Sequence, residues 1–581
     1  MLEGKVQLRW GICMYLSRVA IKNFRGIKSL EMRFDPSLTV IMGENNAGKS
    51  SLLAALEICL NQLRSEKGSL FDVHDFHLDE SHLTIDSCEP IRITISFEET
   101  EEVQWTPVEK QRLKDIDVGV EYSEIHLQIE ASYDSSNREI NQSVNFLDNL
   151  GNVIPNRATA KNLKALRGCV PFFLQEALRD AARNFGGQSS YWVELIKAND
   201  LSDEAKAAFE RDIVAVQKRL IDAYGGFLSV TQEIDHVSDI LDTGIDGHVT
   251  VEPRFPDITR AIRYETEINY QVSEQAKIPI KNFGEGTQSI AVLMLFNAYL
   301  KMKMATNGGF TAPLIGIEEP ETHLHPNAVY TIWNVLKTLA GQKIVVTHSG
   351  EIVSQSDLKC IRKLQRIQGD TLCREISLNL SVKEEEKFRI HFRRGRGELF
   401  FSRVWLLVEG ATELEVYDGA AGIMGIDLHR HSVGFVQYAN IGIGVILKIA
   451  DAFGIRCVLT SDSDPAGNSY VSTFNNFMAG HPTIPTHQHH MLPSLTIETY
   501  LCEMGFSQPY INHLSRSSDP QARELLSVLD SQRDSTYWEQ VYGFIKSNKP
   551  HLVNEALDLM SAQGVNGVPQ HIKDVLNDAI A

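Results

Sequence analysis

Cysteine is scarce in this sequence, and scattered. The 581-residue chain has eight, at positions 13, 59, 88, 169, 360, 373, 457 and 502, and no two stand in C-x-x-C spacing. That excludes a disulfide framework and a cysteine-held zinc cluster, leaving buried or spare thiols. No apolar run reaches the roughly eighteen residues of a membrane span. The first residues also lack the basic end, apolar stretch and small-residue cleavage site of a secretion signal. A cytoplasmic protein with no membrane contact is therefore expected. Positive charge is short too: 56 Lys and Arg stand against 75 Asp and Glu, a formal net charge of -19. Bulk attraction to a polyanion is excluded, so any nucleic-acid contact has to be local. Internal repeats and low-complexity tracts are absent.

What remains is an ordinary globular composition, 43% hydrophobic and 23% charged, in a chain too long for one core. Residues 1–13 precede a second methionine, Met14, and read as an N-terminal extension. Leu38 to Met42 is a buried-strand run ending at Gly43, and Leu52, Leu56, Cys59, Leu60 and Leu63 fall on one helical face. Ile91, Ile93, Ile95 and Phe97 alternate with polar residues, and Ile125, Leu127 and Ile129 repeat the device, predicting an antiparallel flank. Phe209, Ile213, Val216 and Leu220 share a helix face that Gly225-Gly226 would stop. This helical insertion is either a packed subdomain or a self-association element. Pro313 to Ile317 and Lys343 to Thr347 read as two further strands, and residues 376–400, polar and charged, as a connection.

Beyond that connection the pattern is strand (Val404 to Val408), helix (Thr412 to Met424), strand (Val433 to Tyr438), helix (Val445 to Phe453), strand (Cys457 to Ser461). Such alternation predicts a small parallel, Rossmann-like sheet. Residues from about 505 onward read as mostly helical.

Two motifs carry chemistry. Gly43-Glu44-Asn45-Asn46-Ala47-Gly48-Lys49-Ser50 fits G-x-x-x-x-G-K-[ST] and lies between strand and helix patterns. Its glycines let backbone N–H groups of Asn45, Asn46, Gly48 and the following Ser51 wrap phosphates at a helix N-terminus. Lys49 supplies a cation to the β- and γ-phosphates, and Ser50 a hydroxyl to Mg²⁺. The apolar strand Leu314 to Ile317 ends in Glu318-Glu319-Pro320-Glu321. There Glu318 is assigned to the metal and Glu319 to the attacking water, with Glu321 as the fallback for the second role. ATP is the expected cofactor.

Glu319-Pro320-Glu321-Thr322-His323-Leu324-His325-Pro326, Asn23-Phe24-Arg25 and Thr347-His348-Ser349 together resemble the ABC-type ATPases of the SMC/RecF class. The resemblance implies that His348 contacts the γ-phosphate. Phe283-Gly284-Glu285-Gly286-Thr287-Gln288-Ser289 resembles a degenerate ABC signature loop, whose Gly286 and Gln288 would act on the ATP of an opposite subunit.

The second motif is Val408-Glu409-Gly410-Ala411-Thr412-Glu413 with Asp462-Ser463-Asp464. Glu409 follows the first strand of the C-terminal sheet, and Asp462 and Asp464 follow the third. Ends of adjacent parallel strands converge on one crevice, where carboxylates can hold Mg²⁺ or Mn²⁺ for phosphodiester chemistry. A purely structural use also stays open, since Thr412 and Glu415 have capping-box spacing. The set resembles the Toprim domain of primases, topoisomerases and OLD nucleases. With the ATPase in front, the chain is similar to the OLD (overcoming lysogenization defect) family of ATP-dependent DNA nucleases. By that resemblance Glu409, Glu413, Asp462, Asp464 and Glu498 are metal ligands, and Lys549 assists at the scissile phosphate.

The implied organisation is an α/β chain: extension 1–13, ABC ATPase 14–165, helical insertion 166–235 with a possible dimerisation role, ATPase again 236–380, linker 381–400, Toprim 401–505, and a helical region 506–581. DNA and a second copy of the chain are the implied partners, with anti-phage defence or DNA processing as the role. Two other readings stay open: a DNA-binding ATPase whose Toprim is an interaction module, and an RNA-cleaving Toprim nuclease. Lys387, Arg389, His391, Arg393, Arg394, Arg396 and Arg403 form the densest basic stretch, either a solvated face or a strip for phosphates. His487, His489 and His490 have strand spacing without an acidic or cysteine partner nearby in sequence, and read as structural.

Overall fold

The computed structural model describes residues 14–62, 69–79, 84–99, 105–175, 202–223, 269–271, 277–279, 282–305, 312–322, 324–367, 369–376, 380–392, 396–480, 487–545 and 549–581. The chain divides into two compact units, residues 1–174, 314–321 and 341–581 in the first and residues 175–313 and 322–340 in the second. The strands, in chain order, are β1 (Tyr15–Phe24), β2 (Ile27–Arg33), β3 (Leu38–Gly43), β4 (Ile91–Glu98), β5 (Glu124–Asp134), β6 (Glu139–Leu147), β7 (Phe172–Gln175), β8 (Asn269–Gln271), β9 (Lys277–Pro279), β10 (Leu314–Glu318), β11 (Gln342–Val346), β12 (Ile361–Ile367), β13 (Asp370–Arg374), β14 (Val404–Val408), β15 (Val433–Gln437), β16 (Arg456–Ser461) and β17 (Gln488–Met491).

The first unit holds three sheets. One has the order β2-β1-β4-β5-β6 and is antiparallel throughout. Its alternating isoleucines pair as expected, Ile93 opposite Ile129 and Ile95 opposite Leu127, all fully buried. The second, β13-β12-β3-β11-β10-β7, places β3 between β11 and β12, parallel to both, with β10 parallel to β11. A strand flanked on both sides in a parallel sheet is covered on both faces, which is why Thr39 to Met42 reads as unbroken burial rather than alternation.

The third sheet, β15-β14-β16-β17, is parallel. Its central strand, VWLLV, serves two cores at once. Val404, Leu406 and Val408 pack into a cluster with Val416, Tyr417, Leu552, Ile572 and Leu576. Trp405 and Leu407 point into another with Met42, Val353, Ile361, Phe388, Phe392 and Phe400. Side chains alternate faces along a strand, so five consecutive apolar residues are needed when neither face meets water. The C-terminal helices thus share the core of the parallel sheet. The connection at 381–400 is itself packed: Val382–Phe392 is a helix whose Phe388 and Phe392 are buried, because the polar pattern between them hides an apolar pair four residues apart.

In the second unit the expected insertion helix is present as Asp203–Ala223. Phe209 and Val216, from its predicted apolar face, are exposed. Its neighbours in sequence, residues 176–201 and 224–235 with the Gly225-Gly226 stop, lie outside the described residues, as does the 1–13 extension. β8 and β9 pair antiparallel. Helices Glu285–Ala305 and Pro326–Thr338 bury Leu293, Phe296, Leu300, Ile332, Trp333 and Leu336. Among the described residues no helix is long and apolar enough to cross a membrane.

Candidate nucleotide and metal sites

The P-loop runs from the end of β3 into helix Lys49–Glu57. Gly48 has φ 92, and a Cβ there would sit 2.8 Å from Ile27 Cγ1, so both conformation and space demand glycine. At Gly43 a Cβ would stand 2.4 Å from the Leu364 carbonyl oxygen of β12. Lys49 is buried, and its ammonium donates to the carbonyl oxygens of Gly43 (2.9 Å) and Glu44 (2.8 Å). Burial pulls its pKa below the usual lysine value, against Glu319, Glu318 and Glu44. A lysine held to its own loop is poised to exchange those carbonyls for phosphate oxygens. Ser50 Oγ donates to Glu318 Oε1. The donor set assigned to Mg²⁺ from sequence is therefore assembled across β3 and β10, and fits a hydrated, oxygen-liganded ion.

β10 delivers Glu318, and the chain then turns sharply at Glu319, whose φ of 45 is unusual for a non-glycine residue. The turn is held by the Glu319 N–H on the Val346 carbonyl (2.8 Å). It aims the carboxylate at His348, with Nε2 and Oε1 4.0 Å apart. Burial keeps the His348 imidazole below its ordinary pKa, and Lys49 adds to this. Glu321 is committed elsewhere: it accepts from Thr347 Oγ1 (2.7 Å) and from the His348 N–H (2.8 Å). Its role here is to fix the loop that carries His348. Glu319→Gln keeps Glu318 and Ser50 in place but removes the carboxylate that faces His348. We expect ATP binding within about twofold of wild type and hydrolysis reduced about a hundredfold or more, measured by equilibrium binding and single-turnover hydrolysis. An unchanged rate would move the water-polarising role off Glu319. Gly286 and Gln288 belong to the second unit, at the start of helix Glu285–Ala305, where Gln288 Nε2 donates to the Phe283 carbonyl (2.7 Å).

In the sheet β15-β14-β16-β17, Glu409 follows β14 and Asp462 follows the neighbouring β16. Glu409, Glu413, Asp462, Asp464, Thr412, Tyr542 and Lys549 line one cavity of about 390 Å³. The helix after Glu409 starts at Ala411, and Glu413 Oε2 accepts from the Gly410 N–H (2.8 Å). Capping therefore falls to Glu413, not to the Thr412 and Glu415 pair read from sequence. Asp464 Oδ1 accepts from Gly467 N–H (2.7 Å), capping the next helix. Each of these two carboxylates keeps a second oxygen for the cavity. Glu409 Oε2 is buried with no hydrogen-bond partner, an arrangement that asks for a cation.

Burial, then Glu413, Glu409, Glu498 and Asp464, push Asp462 up to about 8. Burial, then Glu413 and Asp464, also raise Glu409. Among the described residues no three His, Cys, Asp or Glu side chains close tightly enough to clasp an ion as they stand. The donors themselves, all hard carboxylate oxygens, fit Mg²⁺ or Mn²⁺.

A stability test follows with a definite sign. Folded, Asp462 keeps its proton to about pH 8, while unfolded it releases it near the ordinary value of 3.8. The metal-free protein therefore loses stability as pH rises between those values. Metal binding requires ionised ligands and relieves the repulsion. The gain in Tm on adding Mn²⁺ is expected to grow from about pH 6 to about pH 8.5. A gain independent of pH would argue against a cation among these carboxylates.

Glu498 is 1% exposed and binds Lys549 Nζ through Oε1 at 3.0 Å. Lys549 also donates to the Tyr542 hydroxyl (2.5 Å), its ammonium 4.4 Å from that ring's centre. Burial works to lower the lysine's pKa, but Glu498 and Tyr542 outweigh it and hold the charge firmly on. Tyr542 was not singled out from sequence. It lies on helix Ser535–Ile545 in no motif, and only folding brings it beside Lys549.

In the basic stretch, Lys387, Arg389 and Arg396 are exposed, and Arg393 and Arg394 lie outside the described residues. Arg403 is a correction: it is taken by Glu44 of the P-loop in a two-point pair, Nε to Oε1 2.8 Å and Nη2 to Oε2 2.9 Å. The histidines sit on or beside β17. His487 Nδ1 accepts from the Cys457 N–H (3.0 Å), and burial pushes its pKa down to about 4. His490 Nε2 pairs with Asp578 (2.7 Å).

The fold and sites together define a class: a P-loop α/β domain joined in one chain to a Toprim domain. The chain belongs to the family described as "Protein of unknown function (DUF2813)", matched over residues 14–397, and carries the domain described as "Overcoming lysogenization defect protein-like, TOPRIM domain", matched over residues 400–464. It is similar to the "Uncharacterized protein YbjD" of Escherichia coli (strain K12), 25% identical over 97% of this chain and 98% of that protein. It is also similar to two proteins named OLD nuclease. That of Thermus scotoductus is 23% identical over 77% of this chain and 82% of that protein. That of Escherichia phage P2 is 23% identical over 80% of each. The OLD resemblance carried by the motifs thus holds across both regions.

Proposed function

We propose that this protein is an ATP-hydrolysing, metal-dependent DNA endonuclease, whose Toprim site cuts phosphodiester bonds under the control of its ABC-type ATPase. The observation that carries the reading is the single cavity holding Glu409, Glu413, Asp462, Asp464 and Lys549 at the C-terminal ends of adjacent parallel strands. A bound Mg²⁺ or Mn²⁺ would supply a Lewis acid to the phosphate and an activated water at neutral pH. The four carboxylates of the cavity would hold it, while Glu498, a fifth ligand by the OLD resemblance, is paired with Lys549. Lys549, kept charged by Glu498 and pinned by Tyr542, offers its ammonium to the phosphate, where negative charge builds during cleavage. A cavity of four carboxylates with one fixed lysine has little use as a plain interaction surface, because bare like charges cost stability.

In the ATPase, Lys49 would hold the β- and γ-phosphates, Ser50 and Glu318 the Mg²⁺ of ATP, Glu319 the water and His348 the γ-phosphate. Gly286 and Gln288 would complete the site of a second copy, making the working form a homodimer. DNA processing or anti-phage defence is the corresponding role. The deciding assay uses supercoiled plasmid, single-stranded DNA and RNA with Mg²⁺, Mn²⁺ or EDTA, each with and without ATP. Cutting of DNA that needs metal supports the reading. Cutting of RNA alone would change the substrate, and no cutting of any nucleic acid would sink the nuclease assignment.

A further inference from the structure

Three contacts from the ATPase converge on three consecutive residues just before the Toprim sheet. The His348 ring stacks on Phe401, with centroids 6.5 Å apart and planes 17° from parallel. Lys363 of β12, paired beside the P-loop strand, donates its ammonium to the Ser402 carbonyl (3.2 Å). Glu44 of the P-loop grips Arg403 at two points. A backbone contact backs them: a Cβ on Gly397 would lie 1.9 Å from the Gly350 carbonyl oxygen, so the helix after His348 rests directly on the turn that leads into this tripeptide.

The next residue begins β14, and Glu409 directly follows its last residue, Val408. Five strand residues span roughly 17 Å. Trp405 and Leu407 are packed in the same core as Met42, the residue before Gly43. Close-packed strands move as bodies rather than bending.

We propose that Phe401-Ser402-Arg403 is a transmission element, through which nucleotide at the P-loop sets the position of Glu409 in the acidic site. The input is visible in Lys49 of the P-loop. Its ammonium now holds the carbonyls of Gly43 and Glu44. Phosphates that draw it away release the backbone of the residue whose side chain grips Arg403. A γ-phosphate that engages His348 pulls on the ring stacked over Phe401. Each exposed contact is weak alone, as the Glu44 and Arg403 pair illustrates. Their effect comes from acting together on one rigid strand. Linkage makes the coupling reciprocal, so metal in the acidic site changes nucleotide affinity by the same factor that nucleotide changes metal affinity.

The inference rests on the proposed nuclease reading for its output, and the test separates the two. Hydrogen exchange is followed in the full-length protein with and without Mg²⁺ and a slowly hydrolysed ATP analogue, alongside plasmid cleavage. The proteins are wild type and the double variant Phe401→Leu, Arg403→Gln. In wild type, nucleotide is expected to change exchange both at residues 43–51 and at 397–409, and to change the cleavage rate by about fivefold or more in one direction. In the double variant the P-loop response persists, which also shows that it folds, while the 397–409 response is lost. Its cleavage ratio with and without nucleotide then falls to within about twofold of one. A P-loop response in wild type with no response at 397–409, or the same response in the variant, overturns the transmission. If neither protein cuts DNA yet the exchange behaves as described, the transmission stands and the nuclease reading falls.

Discussion

ATP hydrolysis by Lys49→Ala should fall about a hundred- to thousandfold, the scale of removing one preorganised charge from a transferring phosphoryl group. The substitution removes the ammonium that now sits on the Gly43 and Glu44 carbonyls, and no other cation is assigned to the β- and γ-phosphates. The fold should survive. Lys49 is the first residue of its helix, where alanine is well tolerated, and its burial costs the charged form solvation. Steady-state hydrolysis and thermal melting, measured together, check this. Turnover equal to wild type in a folded protein would remove the nucleotide assignment from this loop.

Asp462→Asn should abolish cleavage, by about a thousandfold or more, while leaving ATP hydrolysis within a few-fold of wild type. The loss follows from the site. Asp462 follows β16 and Glu409 follows the neighbouring β14, and a neutral amide cannot replace an anionic oxygen opposite a divalent cation. The same change should make the metal-free protein more stable above about pH 8, because it deletes the carboxylate that burial and four neighbouring acids disfavour most. Inactivity accompanied by a higher Tm excludes unfolding as the cause and fits a functional site held at a cost in stability. Inactivity with a lower Tm at that pH would show that Asp462 is structural. Loss of both activities in a folded protein would mean that the two sites cannot be separated in this way.

Motifs were legible because their chemistry is local. A phosphate loop needs its glycines and lysine at fixed spacing on a strand-to-helix turn, so Gly43 to Ser50 could be read without coordinates. Glu409, Asp462 and Asp464 were legible for a related reason: each follows an apolar run that can only be a buried strand, and strand ends in a parallel sheet gather on one side. The helix at 382–392 was obscured by its charges, since Phe388 and Phe392 are only two apolar residues in a polar stretch. Capping at Gly410 by Glu413 was misassigned to Thr412 and Glu415 because both pairs share the same three-residue spacing. Only the start of the helix at Ala411 chooses between them.

By itself, then, the sequence determined the strand and helix order around the two motifs, the two strand-end chemistries, and which acids and lysines stand beside them, since periodicity and short-range spacing are properties of a linear chain. Tertiary structure decided everything that depends on residues far apart in it. Packing set Tyr542 beside Lys549 and Glu498, turned Glu321 from a possible water-polarising group into the anchor of His348, and removed Arg403 from the basic stretch to bind Glu44 of the P-loop. It also buried both faces of β14, because five apolar residues in a row can be satisfied only when two cores close over them, one shared with the C-terminal helices and the other including Met42 beside the P-loop.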